Sequence, residues 1–336
     1  MENKLTLNIR TNEMEQYHRD IVSFFRNEGD KHFIEKFLEI KGIKSENTEK
    51  TYRNAIKSFF NKEIENITID EVVAVQYYQC YEYLQKLTRE GLASGTVHNR
   101  ISCLSSFYKW LTKHNSEHLT IISNNPFAGL KDDKPKLVSE ETQALTQEEL
   151  IRLMNSIEED KEIDLRDKAL LSLAFTTALR KSDIRKLKLK DIFYFQGVWG
   201  IKVITEKGKK IHNAKLTDDV KRLIDKYLEI SNRNYEDHEE DYIFRGTTVA
   251  SKKRKEMLSS NIFNHIIKTR LKNCDIKKHI KVHSTRHTSI TMLYEAGVPL
   301  VQLQEFANHS QLETTRRYIK ANSTIANSPA DKIKLF

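Results

Sequence analysis

Apolar side chains recur every three or four residues from about residue 31 to residue 122. Phe33, Ile34 and Phe37 open the first such run, and this spacing places apolar side chains on one face of an α-helix. The pattern occurs four times, so we predict a compact four-helix domain over residues 31–122. Residues 1–30 have only a weak helical pattern. We interpret them as an N-terminal extension that either contacts a neighbour or DNA or is a partly disordered arm.

Polar residues interrupt the helical pattern between residues 123 and 143, which we predict to be an interdomain linker. The second domain is predicted at residues 144–322. Its helix at residues 164–178 contains a nearly continuous apolar run and should be buried on all sides. Apolar and polar residues alternate over Val198–Thr205 and again over Ile211–Leu216, which indicates two antiparallel strands. The chain is therefore predicted to be mainly α-helical, with a helical domain followed by an α+β domain.

The composition agrees with a helical protein and suggests its partner. The chain has only 10 glycines and 4 prolines in 336 residues, which favours helices with short connections. The net charge of +9 suggests a polyanionic partner, although ribosome-associated and membrane-surface proteins share this property. The three cysteines are far apart, which indicates reduced thiols rather than a zinc site. Without an apolar leader or membrane-spanning segment, the protein is expected to be cytoplasmic and to have no membrane partner.

Residues that bind phosphate or transfer protons are concentrated near the end of the chain. His283 and Arg286 are three residues apart, so on a helix they share a face. Gly297 is expected to end that helix. A short helix is predicted at about residues 299–307, and His309 then lies just before a third helix that holds Tyr318. Arginine, histidine and tyrosine side chains in this arrangement suggest a phosphoryl-transfer site.

Two upstream residues complete this candidate site. Arg180 is predicted to end the buried helix, and Lys207 stands at the predicted hairpin tip, from which it could reach into a cleft. Lys209 and Lys210 are close enough to take the place of Lys207. Each residue alone would be ordinary: a surface arginine, a solvated lysine, an exposed histidine–arginine pair or a packed tyrosine. The order and spacing of all six favour a joint catalytic site.

These residues resemble those of the tyrosine recombinase (phage integrase-like) family. The segment Thr176-Thr-Ala-Leu-Arg-Lys-Ser-Asp183 is similar to the family's first-arginine motif, and His283-Ser-Thr-Arg-His287 is similar to its His-x-x-Arg-His motif. Tyr318 follows His309 by nine residues, which is the family's spacing. Asn308 stands where the family usually has glycine. The resemblance extends over the helical domain as well as the second domain.

The resemblance implies an N-terminal SAM-like core-binding domain and a C-terminal catalytic domain that form a C-shaped clamp on DNA. It implies a site-specific recombinase of the integrase, transposase or resolvase type. Strands would be cut and rejoined through a 3′-phosphotyrosyl intermediate, with no metal or other cofactor. Tyr318 would be the nucleophile, His283 the base and Lys207 the general acid, while Asp183 would orient neighbouring basic groups. The implied catalytic residues are Arg180, Lys207, His283, Arg286, His309 and Tyr318.

The family also implies partners. Double-stranded DNA would be bound by a homotetramer on two sites, with protomer contacts made by the tail at residues 323–336, and with directionality or DNA-bending accessory proteins. Two alternatives remain: a type IB topoisomerase-like enzyme that shares the chemistry and relaxes DNA, and a catalytically silent DNA-binding regulator that keeps the fold. Basic or polar side chains on two helices of the first domain, and a basic stretch in the second, are candidate DNA contacts: Arg53, Lys57, His98, Arg100, Lys109, Lys252, Lys253, Arg254 and Lys255.

Overall fold

The structure is a computed structural model of the chain. It describes residues 32–43, 45–115, 120–136, 143–205, 211–248, 250 and 255–319, and for residues 131 and 317–319 only the backbone is described. The chain divides between Glu140 and Glu141 into two units, each with its own apolar core. None of the helices in the described ranges is long and apolar enough to cross a membrane.

The first unit is helical around one aromatic-rich core. Phe37 and Phe107 are both fully buried, with ring centroids 5.1 Å apart, and Ile56 packs into the same core. Its helices are α1 (Phe33–Gly42), α2 (Glu46–Phe60), α3 (Ile69–Val73), α4 (Tyr77–Arg89) and α5 (Ser94–Thr112). The predicted helical domain is confirmed, but the third of its four predicted helices is observed as two helices.

The third of these predicted helices is divided into α3 and α4. Gln76 has an extended backbone, and its N–H donates to Oε1 of Gln79 at 2.7 Å, which starts a new helix. The interruption allows Val72 and Val75 both to be buried in the core. Apolar spacing alone did not predict this division, because one long helix would place the same residues on one face.

Part of the predicted linker is packed structure of the first unit. Phe127 and Leu130 are buried in its core, and Nδ2 of Asn125 donates to the carbonyl oxygen of Ser105 at 3.0 Å. A short 3₁₀ helix covers Ala128–Lys131. The linker boundaries at residues 123 and 143 remain predictions.

The second unit is built around one buried helix. That helix, α7, has Leu170 and Leu171 at 0% exposure, which confirms that its apolar run is buried. Lys168 and Ser172 are half-buried and Thr176 is exposed, so one side of α7 reaches the surface, and the prediction that it is buried on all sides is wrong. α11 ends at Glu295, and Gly297 has a φ of +84°, so the predicted helix end at this glycine is also confirmed. The helices are α6 (Gln147–Asn155), α7 (Glu162–Thr177), α8 (Lys181–Lys186), α9 (Asp218–Ile230), α10 (Ser260–Asn273), α11 (Val282–Glu295), α12 (Leu300–Phe306) and α13 (Leu312–Ile319).

A three-stranded antiparallel sheet lies between α8 and α9 in the chain. Its strands are β1 (Ile192–Phe195), β2 (Val198–Ile204) and β3 (Ile211–Leu216), in the order β1-β2-β3. The predicted strands β2 and β3 are confirmed, whereas β1 was missed. Gln196 and Gly197, with φ values of +49° and +82°, make the tight turn that joins β1 to β2.

Candidate active site

Arg180 lies at a sharp turn between two helices. α7 ends at Thr177, and Ala178 has a left-handed φ of +48°, so the chain changes direction before it reaches Arg180. Arg180 occupies the N-cap position of α8 and is half-buried. The prediction that Arg180 ends the buried helix is therefore wrong. Asp183, which is 4% exposed, lies within the first turn of α8.

Arg286 joins the two turns that present other candidate residues. It lies in α11 and is 3% exposed. Its Nη1 donates a hydrogen bond to the carbonyl oxygen of Ala178 at 2.7 Å, and its Nη2 donates to that of Ala307. Ala178 precedes Arg180 by two residues, and Ala307 precedes His309 by two residues. Arg286 thus holds both neighbouring site residues in place.

His309 follows the turn at the end of α12. Asn308 has a left-handed φ of +48°, a conformation that glycine and asparagine adopt more readily than other residues. This backbone explains why asparagine can stand where the resembling family has glycine. The His309 N–H donates to the Gln304 carbonyl oxygen at 3.0 Å, and the Gln304 side chain donates to the His309 carbonyl oxygen at 3.0 Å. The imidazole is 7% exposed, and its Nδ1 lies 2.9 Å from Oγ1 of Thr315 on α13.

The two arginines favour neutral histidines in this site. Burial, followed by the charges of Arg286 and Arg180, lowers the pKa of His309 to about 4. His283 is open to solvent, but surrounding protein atoms and then the same two arginines lower its pKa as well. Both imidazoles are therefore neutral at pH 7. A neutral His283 can accept a proton, and a neutral His309 can donate one hydrogen bond.

His212, which the sequence analysis missed, lies in the same site. It is on β3 and shares a sheet face with buried Ala214. Burial, and then the charge of Arg286, lower the pKa of His212, and Arg180 also lowers it, whereas Asp183 opposes the effect. The ring is therefore within electrostatic reach of all three charged groups. The signal was available: a histidine at a core-facing strand position, directly after the predicted hairpin tip.

Two predicted catalytic side chains fall outside the described side chains. Lys207 belongs to residues 206–210, which lie outside the described residues. Tyr318 is part of helix α13, but only its backbone is described. The predicted tail at residues 323–336 also lies outside the described ranges. The roles given to these residues, and to the four catalytic residues that are described, remain predictions.

The described part of the site suits an oxyanion that needs several donors. Arg180 and Arg286 each carry five N–H donors and a permanent charge, and the hydrogen bonds of Arg286 to Ala178 and Ala307 fix the position of its guanidinium group. Within the described ranges, no group of three or more His, Cys, Asp or Glu side chains could hold a metal ion. The arrangement can bind a phosphate group and stabilise negative charge that develops on its oxygens.

The predicted DNA contacts on α2 are already engaged in ion pairs. The Arg53 guanidinium donates to both carboxylate oxygens of Glu35, at 2.5 and 2.7 Å, and to Glu49 at 2.8 Å. These carboxylates raise the pKa of Arg53 further. Lys57 Nζ lies 2.5 Å from a carboxylate oxygen of Glu63. A phosphate contact by Arg53 would have to replace two carboxylates, so Arg53 is a weaker candidate than its sequence position indicated.

The remaining DNA candidates differ in how freely they are presented. His98 Nε2 is 2.8 Å from the carbonyl oxygen of Pro135, and Arg100 donates to Ser58 Oγ at 3.1 Å. Lys109 is exposed on α5. Lys255 is also exposed, with Nζ 3.9 Å from an Asp241 carboxylate oxygen. Lys252, Lys253 and Arg254 lie outside the described residues.

Sequence profiles of two related families match the chain. The profile of the phage integrase family matches residues 143–324. The profile of the phage integrase N-terminal SAM-like domain matches residues 31–115. The two profiles describe domains of one group of proteins, and the regions that they match overlap the two predicted domains.

Individual proteins are similar over most of the chain. Tyrosine recombinase XerC of Rickettsia bellii is 28% identical over 300 residues, which cover 86% of this chain and 90% of that protein. XerC of Rickettsia peacockii is 29% identical over 301 residues, with the same coverage. The fold is shared with XerH recombinase bound to its difH substrate, with a TM-score of 0.67, 20% identity and coverage of 82% of this chain and 76% of that one. A λ integrase dimer bound to a core site gives a TM-score of 0.63 at 17% identity, with 90% and 98% of the two chains covered.

Proposed function

The chain belongs to the phage integrase family, and we propose that it is a site-specific DNA recombinase acting through a 3′-phosphotyrosyl intermediate. The observation that carries the proposal is the position of Arg286. Its hydrogen bonds to Ala178 and Ala307 join the turn of Arg180 to the turn of His309. The permanently charged Arg180 and Arg286 and the neutral His309 imidazole are thus held together by these hydrogen bonds, and a phosphodiester can bind to them.

In the proposed reaction, Oη of Tyr318 attacks the scissile phosphorus, and its proton passes to neutral His283. The new bond joins phosphorus to the tyrosine oxygen, and the bond from phosphorus to the 5′ oxygen breaks. Lys207 gives a proton to that leaving oxygen. Rejoining reverses these steps, so the phosphoester is conserved and no ATP is needed.

The arginines act on the charge that develops during this reaction. The pentavalent transition state has more negative charge on its non-bridging oxygens than the substrate has. Arg180 and Arg286 bind those oxygens, and an N–H of His309 adds another hydrogen bond. Removing a single donor of this kind typically slows a reaction by about 10²–10³-fold. Because arginine supplies the positive charge, this chemistry needs no metal ion.

Duplex DNA is the proposed partner. The net charge of +9 is consistent with binding through phosphate groups, and affinity should fall steeply with salt. Structural relatives include XerH bound to difH DNA and a Tn1549 transposon integrase in complex with circular intermediate DNA. The Tn1549 integrase gives a TM-score of 0.61 at 17% identity and covers 95% of this chain and 98% of that one. We further propose that four protomers assemble on two DNA sites in the cytoplasm, with contacts made by the C-terminal tail.

The DNA site can be recovered from the reaction itself. Proteolysis of covalent protein–DNA complexes from cells that express the protein, followed by sequencing of the peptide-marked 3′ ends, should give the cut sequence. Two copies of this sequence in one supercoiled plasmid should then undergo deletion or inversion. Relaxation without exchange would favour the topoisomerase alternative, and binding without any cleavage would favour the silent regulator.

The general acid can be identified with a modified substrate. In a 5′-bridging phosphorothiolate, the leaving sulfur needs no proton. If Lys207 is the acid, Lys207→Ala should cleave normal DNA slowly and the phosphorothiolate at nearly the wild-type rate. Lys209→Ala and Lys210→Ala are the matched controls and should cleave both substrates normally. If Lys209→Ala or Lys210→Ala instead cleaves normal DNA slowly and the phosphorothiolate at nearly the wild-type rate, that lysine is the general acid.

A further inference from the structure

Thr315 is a fully buried polar residue of α13 that directly contacts the site. Its side chain is 0% exposed, and its Oγ1 lies 2.9 Å from Nδ1 of His309. Thr315 precedes Tyr318 by three residues on the same helix. This contact joins the helix of the proposed nucleophile to an imidazole that would bind the phosphate.

The partner of one imidazole nitrogen decides what the other nitrogen can do. A neutral imidazole has one N–H and one lone pair. His309 is neutral at pH 7, because burial and the charges of Arg286 and Arg180 lower its pKa to about 4. The non-bridging oxygens of a phosphodiester are acceptors only, so His309 can bind them only through an N–H. If Nε2 carries that hydrogen, Nδ1 must accept a hydrogen bond from another group.

We propose that Thr315 is a positioning residue that donates its hydroxyl hydrogen to Nδ1 of His309 and so holds the Nε2–H tautomer. This inference rests on the proposed function, since Nε2–H is assigned to the scissile phosphate. A backbone carbonyl in the place of the hydroxyl would require Nδ1–H and would leave Nε2 without a hydrogen to donate. A threonine hydroxyl can donate, and it is small enough for a buried contact.

The surrounding structure allows Thr315 to connect placement of the nucleophile with binding of the phosphate. The main chain of His309 is held separately by two hydrogen bonds with Gln304. α13 packs against α11, which carries His283 and Arg286, and against α12. A displacement of α13 would therefore move the Tyr318 backbone and remove the hydroxyl donor from His309 together. Placement of the nucleophile and presentation of the phosphate-binding N–H are coupled through this one hydroxyl group.

Three variants separate the hydroxyl from the shape of the side chain. Thr315→Val keeps the shape and removes the hydroxyl, whereas Thr315→Ser keeps the hydroxyl. Thr314→Val is the matched control, because Thr314 is the adjacent residue of α13 and is only half-buried. Thermal unfolding of each full-length variant establishes that it is folded before the other measurements are made.

The tautomer can be measured without DNA or activity. Two-bond ¹H–¹⁵N spectra of the protein labelled with ¹⁵N-histidine distinguish the two neutral tautomers and the imidazolium form, and His309→Gln assigns the signal. Wild type, Thr315→Ser and Thr314→Val should show Nε2–H at pH 7, and Thr315→Val should show a mixture of tautomers. Protonated Nδ1 in wild type, or the same single tautomer in Thr315→Val, would overturn the proposal. A failed recombination test would leave this result unaffected.

Cleavage provides the second measurement. At saturating DNA, Thr315→Val should lower the single-turnover cleavage rate by about 10- to 100-fold, the range found when a partner that orients a metal-binding histidine is lost. Thr315→Ser and Thr314→Val should remain close to wild type. In a His309→Ala background, Thr315→Val should have no further effect, because its action passes through the imidazole. A further loss in that background would show that Thr315 acts through packing, and the proposal would be wrong.

Discussion

Replacing Arg286 by lysine should lower the stability of the second unit and should also abolish DNA cleavage. Arg286 is 3% exposed and donates to two backbone carbonyl groups, those of Ala178 and Ala307. Lysine has a single nitrogen and cannot follow both directions of the guanidinium group. At least one buried carbonyl group loses its charged donor, and each such hydrogen bond contributes about 1.5–3 kcal/mol.

The expected loss is about 3 kcal/mol, because the carbonyl group left behind is also buried and costs about 1–3 kcal/mol when unsatisfied. For a unit of this size, 1 kcal/mol shifts the midpoint of thermal unfolding by about 2–4 °C. Arg286→Lys should therefore lower the midpoint of the second unit by about 6–12 °C.

Arg180→Lys is the matched control for this experiment. Both arginines are proposed to bind the phosphate, so both variants should lose cleavage. In the described structure the Arg180 guanidinium makes no hydrogen bond or ion pair with the protein, and the residue is half-buried. Its replacement should change the free energy of unfolding by less than about 0.5 kcal/mol.

The assay can report on the second unit alone. The chain has two tryptophans, Trp110 in the first unit and Trp199 packed against the core of the second. In a Trp110→Phe background, Trp199 fluorescence follows the unfolding of the second unit. An unchanged midpoint for Arg286→Lys, or an equal loss for Arg180→Lys, would refute the structural role of Arg286.

Three further outcomes follow from the described residues. Asn308→Ala should destabilise the second unit by about 1 kcal/mol in chemical denaturation, because alanine is strained at a left-handed φ, whereas Asn308→Gly should not. The pKa of His309 falls from 6.5 to about 4 on folding, so the folded state binds fewer protons; the unfolding free energy should be greatest above pH 6.5 and decrease as the pH falls towards 4. His309→Gln should make this decrease smaller, and an unchanged pH dependence would contradict the assignment. His212→Gln should slow single-turnover cleavage and alter its pH profile, while His238→Gln, outside the site, should leave both at wild-type values.

Strong patterns predicted the main elements, and local backbone geometry explains the differences. The strand Ile211–Leu216 was predicted with its observed bounds because apolar and polar residues alternate along it. β1 was missed because its signal is the Gln196-Gly197 turn, where two consecutive left-handed residues form a tight hairpin. Arg180 was placed at a helix end because the left-handed Ala178 that separates two helices has no distinctive side chain.

The site residues were predicted by order and spacing, but their mutual contacts were not. Arg286 donates to backbone carbonyl oxygens, which every residue possesses, so the residue types in the sequence do not identify its partners. The core-facing position of His212 could be predicted from the alternation along β3, but its proximity to Arg180 and Arg286 depends on the fold. The contact of Thr315 with His309 likewise depends on how α13 packs. Tertiary packing, rather than local propensity, determines these contacts.

The central claim is that Tyr318 forms a covalent bond with DNA. A suicide substrate, nicked near the cut site so that the freed 5′ end diffuses away, should trap wild-type protein as a covalent adduct that survives denaturation. Tyr294→Phe, which changes an exposed tyrosine of α11, should form the same adduct. Tyr318→Phe should bind the DNA equally well and form none. An adduct with Tyr318→Phe, or none with DNA-bound wild type, would contradict the assignment.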